Sequence, residues 1–216
     1  MKLSVIIPAR DEEENIEQTI KNLLPFIQPA DMEIIVVNDH SQDRTPDVIN
    51  QLQKKYSFIK IIDNFKEPGF ANALKTGFEN AQGEFVIPFM ADSCDDPQTL
   101  SLMLKKVKEG YDVVCGSRYI NKGRRVGGPL IQGYFSRMVG ITLHLFTRIP
   151  TSDVSNAFKM YRRDVLLSFI PDPLCGQTSA VLARPCAIVR NGGLGSVHSA
   201  PRCFVWVRLG GAAPEP

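Results

Sequence analysis

Five short apolar runs, LSVIIPA, EIIVVND, FIKIID, GEFVIPFMAD and YDVVCGSRY, recur along the first 119 residues, and each stops at polar or turn-forming residues. Runs of this kind suit strands buried on both faces, as in a parallel sheet. Between them lie DEEENIEQTIKNLLPFI, SQDRTPDVINQLQKKY, GFANALKTGFENAQ and PQTLSLMLKKVKEG. The first places Ile16, Ile20, Leu23 and Leu24 on one helical face, with acids expected in its first turn, where the helix dipole favours them. Gly69 precedes the third helical segment and Gly83 follows it. Strands alternating with helices at this spacing predict an α/β fold with a doubly wound, mainly parallel sheet.

Ligands of such sheets collect beyond the carboxyl ends of the strands. The polar residues cluster there: Arg10 to Glu12, Asp39, Asp63, Asp92 to Asp96, and Arg118. No G-x-G-x-x-G follows the first strand and no G-x-x-x-x-G-K-[ST] occurs, which weighs against a dinucleotide-dependent dehydrogenase and a P-loop ATPase. A nucleotide can instead be held by carboxylates that read its base and ribose, with a metal on its phosphates. Asp39 and Asp92 stand at the strand ends where that arrangement needs acids.

Composition narrows the class further. A net charge of +2 over 216 residues argues against an electrostatic nucleic-acid binder. The opening MKLSVIIPARDEE has too short an apolar run for an export signal. No window approaches the roughly 18–20 apolar residues that cross a bilayer. Five cysteines without metal-type spacing read as free thiols of a reducing compartment. The expectation is a cytoplasmic protein, with peripheral contact at the cytoplasmic face of a membrane left open.

All twelve lysines lie at or before Lys159, and 21 of the 23 acids precede Pro171. From Pro171 to Pro216 there are no lysines, two acids and eighteen Gly, Pro or Ala residues. Neither a sustained 3.6 nor a sustained 2.0 period runs through RNGGLGSVHSAPRCFVWVRLGGAAPEP. Residues 171–216 therefore read as an atypical tail, either an out-of-frame or misassembled end or a genuine irregular one.

Together VIIPARDEEENI, EIIVVNDHSQDRT, GFANALKTGFENAQGEFVIPFMAD and DVVCGSRY resemble family 2 glycosyltransferases of the GT-A fold, and within them the dolichol-phosphate mannosyltransferase-like, polyprenyl-phosphate sugar transferases. The resemblance covers about residues 3–168. It implies a catalytic domain over 1–170, with a nucleotide-sugar half at about 1–120 and an acceptor side at about 121–170. It further implies transfer of a sugar from a GDP- or UDP-sugar, with Mg²⁺ or Mn²⁺. By this resemblance Pro8, Ala9, Arg10 and Glu12 line the base pocket, Asp39 holds the base or ribose, and Asp63 reads the base edge.

Asp92 matches the second carboxylate of the family's D-x-D, the metal ligand, but the first is replaced by Met90. A thioether is a poor ligand for a hard cation. A turn after Asp92 would let Asp95 swing back towards the same ion, with substrate phosphates completing its shell. The alternative for Asp95 and Asp96 is capping of the helix that starts near Pro97.

Arg118 is the expected second cation on the diphosphate, since guanidinium grips phosphate oxygens bidentately. A phosphate monoester acceptor has a second pKa of about 6 and is largely anionic near neutrality, so it needs cations more than a base. Arg137 is expected at the acceptor phosphate. Arg124 and Arg125 fit either a loop over the site or a solvated basic loop. Ile131, Tyr134, Phe135, Met138, Ile141 and Leu145 form a stripe that is either core or an interfacial surface, and His144 reads as structural. Asn156 is expected on the acceptor side, as are Asp153 and Lys159, for which capping or surface roles serve as well.

These residues lead to a metal-dependent inverting glycosyltransferase acting on a polyprenyl (dolichyl or undecaprenyl) phosphate. The alternatives are a saccharide or other hydroxyl acceptor, which needs a carboxylate base, and an inactive nucleotide-sugar-binding fragment.

Overall fold

The computed structural model describes residues 2–26, 31–92, 95–117 and 157–168, and the backbone of 203–208. The strands are β1 (Leu3–Ala9), β2 (Met32–Asn38), β3 (Ile59–Asp63), β4 (Phe85–Pro88), β5 (Val113–Ser117), β6 (Lys159–Arg162) and β7 (Cys203–Arg208). Among the described residues the helices are α1 (Ile16–Leu23), α2 (Thr45–Lys55), α3 (Phe70–Asn80), α4 (Pro97–Lys108) and α5 (Arg163–Leu167), with a 3₁₀ turn at Leu24–Phe26.

The seven strands form one sheet in the order β3-β2-β1-β4-β6-β5-β7. β1 pairs in parallel with β2 and β4, β2 with β3, and β5 with β7; β6 runs antiparallel to β4 and β5. The α/β, mainly parallel architecture read from the apolar runs is the one observed. Successive side chains of a strand leave opposite faces, and both faces here are covered. Val5 and Ile7 of β1, with Ile34 and Val36 of β2, join Ile16, Ile20 and Leu23 of α1, Ile49 and Leu52 of α2, and Leu100, Met103 and Val107 of α4. Ile6, Ile35 and Val37 turn the other way, onto Ala73, Leu74 and Phe78 of α3 and Val165 and Leu166 of α5.

Gly77 sets how closely α3 approaches the sheet. A β-carbon at that position would overlap Ile6 Cγ2 and lie 3.1 Å from Val37 Cγ2. Three details depart from the sequence reading. α1 begins at Ile16, so Asp11 to Glu14 precede the helix and only Glu17 is an acid of its first turn. β4 ends at Pro88, with Ala91 and Asp92 in a turn. The CFVWVR part of the tail is β7, an edge strand in parallel register with β5; the rest of 171–216 lies outside the described residues.

Cys115, on β5, is buried. Among the described residues no helix is long and apolar enough to cross a membrane.

Candidate functional site

Ala9, Asn38 and Asp63 are the last residues of β1, β2 and β3, and they are register partners across the three parallel strands. The loops beyond them interlock through the acids that follow β1. Asp11, at φ 55°, donates its N–H to Ser41 Oγ at 3.2 Å and accepts the Gln42 N–H at 2.7 Å. The Glu12 N–H donates to Thr45 Oγ1 at 2.8 Å, and the Glu13 N–H to Asp43 Oδ2 at 3.0 Å. Glu13 Oε2 accepts the Arg44 N–H at 2.9 Å in return. Burial works against ionisation of Asp43, but the hydroxyl and N–H of Thr45 and the Glu13 N–H outweigh it and hold its carboxyl below the usual value. These carboxylates give up water for fixed donors and hold the lip of the sheet in one shape.

His40, also left-handed at φ 59°, meets the Lys66 carbonyl through its ring at 2.9 Å. Left-handed backbone is uncommon for residues with a side chain and clusters at functional loops.

Asp39 faces inward. It is 4% exposed, its N–H donates to the Ala9 carbonyl at 2.8 Å, and its two oxygens accept the Asn64 amide at 2.6 Å and the Gly69 N–H at 2.9 Å. Asn64 in turn accepts from Thr76 Oγ1 at 3.1 Å. Asp39 thus fixes the turn between β3 and α3. Asp63 is exposed, and its Oδ1 accepts from Asn38 Nδ2 at 2.8 Å. Asn38, which the sequence reading passed over, therefore stands beside the expected base reader. Pro8 and Ala9 are buried in β1 and can offer a ligand only main-chain atoms. Arg10 is exposed, and Glu12 is half-buried, taking the Asn15 amide on Oε2 at 2.9 Å.

The end of β4 is clamped from both sides. The Phe89 N–H donates to the Ile6 carbonyl at 2.8 Å, and Thr19 of α1 donates its hydroxyl to the Ala91 carbonyl at 2.6 Å. Asp92 follows, exposed in the turn. Because the strand ends at Pro88, Met90 and Asp92 are not strand neighbours on one face. Asp95 folds back, and its Oδ2 accepts the Met90 N–H at 2.9 Å. Asp96 caps α4, accepting the Gln98 N–H at 3.0 Å and the Thr99 hydroxyl at 2.9 Å. Of the three crowded carboxylates, Asp95 thus serves the turn and Asp96 the helix.

Among the described residues no group of three His, Cys, Asp or Glu side chains could hold a metal ion. Arg118, Arg137 and Asn156 lie outside the described residues, as do Arg124, Arg125, His144, Asp153 and the stripe from Ile131 to Leu145. Lys159 is fully buried, which excludes a surface role. It lies on β6, between β4 and β5 in the sheet.

The mainly parallel sheet, with antiparallel β6 between β4 and β5, is that of the GT-A fold shared by the solved glycosyltransferases it superposes on. The sequence profile of glycosyl transferase family 2 matches residues 4–168, and the chain belongs to that family. It is 35% identical over 143 residues to a dolichol-phosphate mannosyltransferase of Pyrococcus furiosus, covering 65% of this chain and 40% of that relative. S. aureus TarS 1–349 in complex with UDP superposes with a TM-score of 0.63 at 21% identity, over 87% of this chain and 55% of that one. The mannosyltransferase PcManGT of Pyrobaculum calidifontis, in complex with GDP-Man and Mn²⁺, gives a TM-score of 0.54 at 20% identity, over 77% and 46%. The chain spans about half or less of the length of the curated relatives it matches.

Proposed function

We propose that this chain binds a nucleoside diphosphate sugar at the carboxyl edge of β1–β4 and transfers the sugar, with inversion, to a polyprenyl phosphate. The observation that carries the reading is the clamped turn after β4. Thr19 and Asp95 fix its backbone and leave Asp92 facing solvent where a diphosphate would lie. Family membership supports the sugar-nucleotide donor, and the similarity to a dolichol-phosphate mannosyltransferase supports the lipid phosphate.

In this reading the base lies against the β1–β3 edge, with Pro8, Ala9, Arg10 and Glu12 around it and Asp63 on its polar edge. Asp39 acts by holding the β3–α3 turn in place. Asp92 and Asp95 would hold Mg²⁺ or Mn²⁺, which when bound offsets the charge of the departing diphosphate. Arg118 adds a second positive charge at the diphosphate. An acceptor phosphate oxygen, already anionic near neutrality, attacks the anomeric carbon from the face opposite the leaving group, and no protein base is needed. Arg137 and Asn156 orient that acceptor. The reaction belongs at the cytoplasmic face of a membrane, where the lipid phosphate is presented.

The test is transfer of a radiolabelled sugar from a panel of UDP- and GDP-sugars, with Mn²⁺, to undecaprenyl phosphate or to free saccharides. Label moving to the lipid phosphate is expected. Label moving to the saccharide alone would replace the lipid acceptor with a hydroxyl one. Donor that binds without transfer or hydrolysis would reduce the chain to a nucleotide-sugar binder.

A further inference from the structure

We infer that Lys159 supports donor binding from inside the sheet, its positive charge favouring the anionic diphosphate at the carboxyl edge; this rests on the nucleotide-sugar reading above. Lysine is seldom buried whole, because its charge must then be held by fixed bonds instead of water. Lys159 is 0% exposed and ranks among the largest fully buried side chains. It opens β6, the strand inserted between β4 and β5. β6 runs antiparallel to both, so its first residue stands towards their carboxyl ends. Lys159 is the register partner of Cys115, near the end of β5. Extending the β4–β6 register beyond Val86 and Tyr161 sets it level with Pro88, the last residue of β4. The turn that carries Asp92 follows directly.

Alternation along β6 fixes the face it occupies. Phe158 and Met160 join the core cluster that includes α1, α2 and α4, whereas Tyr161 and its neighbour Cys115 join the one that includes α3 and α5. Lys159 therefore lies on the α3 and α5 face of the sheet.

Stability alone does not call for a charge at such a position, since a buried ion exchanged for an apolar side chain of similar volume often leaves a fold as stable or more so. The charge has a use at the carboxyl edge, where ligands of these sheets collect. A diphosphate brings concentrated negative charge there, and a cation fixed inside protein attracts it more than the same cation would in water. At an effective dielectric of about 20, one unit charge acting on another over about 10 Å shifts an equilibrium by roughly tenfold. The groups that bond the ammonium do not alter this comparison. Potentials of separate charges add, so removing the lysine charge lowers the potential at the edge whichever groups they are. With no exposed surface, Lys159 does not touch the nucleotide. It biases the site towards phosphate and leaves contact to the residues of the edge.

Calorimetric titration of the full chain in Mn²⁺, with the tighter-binding of UDP and GDP and with the corresponding nucleoside, separates charge from packing. The parent, Lys159→Met and Lys159→Arg are compared, with urea unfolding measured alongside. Lys159→Met removes the charge and keeps most of the volume. Its diphosphate affinity should fall by about tenfold while nucleoside affinity and stability hold. Lys159→Arg keeps the charge, and its diphosphate-to-nucleoside ratio should stay near that of the parent. Should Lys159→Met fail to fold, Lys159→Gln is judged by the same ratio. A ratio unchanged in the neutral variant, or lowered equally in Lys159→Arg, would overturn the inference and leave the nucleotide-sugar reading standing. A parent that binds neither UDP nor GDP would overturn both.

Discussion

The hydroxyl of Thr19 donates to the carbonyl of Ala91 at 2.6 Å, tying the middle of α1 to the turn that presents Asp92. The bond is buried and joins residues 72 positions apart. Thr19→Val keeps the shape and removes the donor, leaving a buried carbonyl short of a partner. Stability should fall by about 1–3 kcal/mol, measured by urea unfolding. Manganese-assisted UDP binding should weaken as well, because the turn loses its anchor; unchanged binding would show that α1 does not position Asp92.

Asp39→Ala removes the acceptor of the Gly69 N–H and the shorter of the two bonds of the Asn64 amide, which keeps only the Glu67 carbonyl at 3.4 Å. A loss of about 2–4 kcal/mol in unfolding free energy is expected, with nucleotide binding weakened as the β3–α3 turn loosens. If stability is kept while nucleotide binding disappears, Asp39 touches the ligand itself.

The fold was legible because parallel strands buried on both faces must read as apolar runs, and β1 to β5 do. β6 was not, since KMYR mixes charge with apolar residues and its Lys159 is nonetheless buried. β7 escaped notice inside a tail without period. Of the candidate site residues, Asp63 at a strand end and Asp92 in the turn beyond one are legible as acids at the carboxyl edge. Asn38 and Thr19 could not, because an amide beside a carboxylate and a hydroxyl under a turn gain meaning only from contacts between distant segments. Asp39 was read as a ligand residue; its burial against the β3–α3 turn depends on Asn64 and Gly69, which lie about 25–30 residues on.

Asp96 offers a control for the acidic cluster. Asp96→Ala removes the cap of α4 and should cost about 1 kcal/mol in thermal or urea unfolding. Nucleotide affinity should stay within error, since both Asp96 oxygens serve Gln98 and Thr99. A fall in affinity as large as that of an Asp92 variant would move Asp96 into the site.

Part of the acid sensitivity should arise away from the site. Burial pushes the Glu33 carboxyl upward, but the Ser4 hydroxyl, the Gln82 N–H and Lys60 outweigh it and hold it below the ordinary glutamate value. A group with a depressed folded value stabilises the fold fully above its unfolded pKa of about 4.3 and loses that contribution as pH falls through the lower folded one. Unfolding followed from pH 7 to pH 3 should show Glu33→Gln with a flatter decline below about pH 4.3 than the parent. Parallel declines would remove Glu33 from the acid response.

The most direct measurement is UDP affinity with Mn²⁺ and with EDTA, for the parent chain and for Asp92→Ala. The parent should lose about tenfold or more in affinity when the cation is withdrawn, as for loss of one charge-assisted contact. Asp92→Ala should bind weakly in both conditions, with little left for the cation to add. Equal affinity of the parent with and without Mn²⁺, or full cation assistance retained after Asp92→Ala, would contradict it.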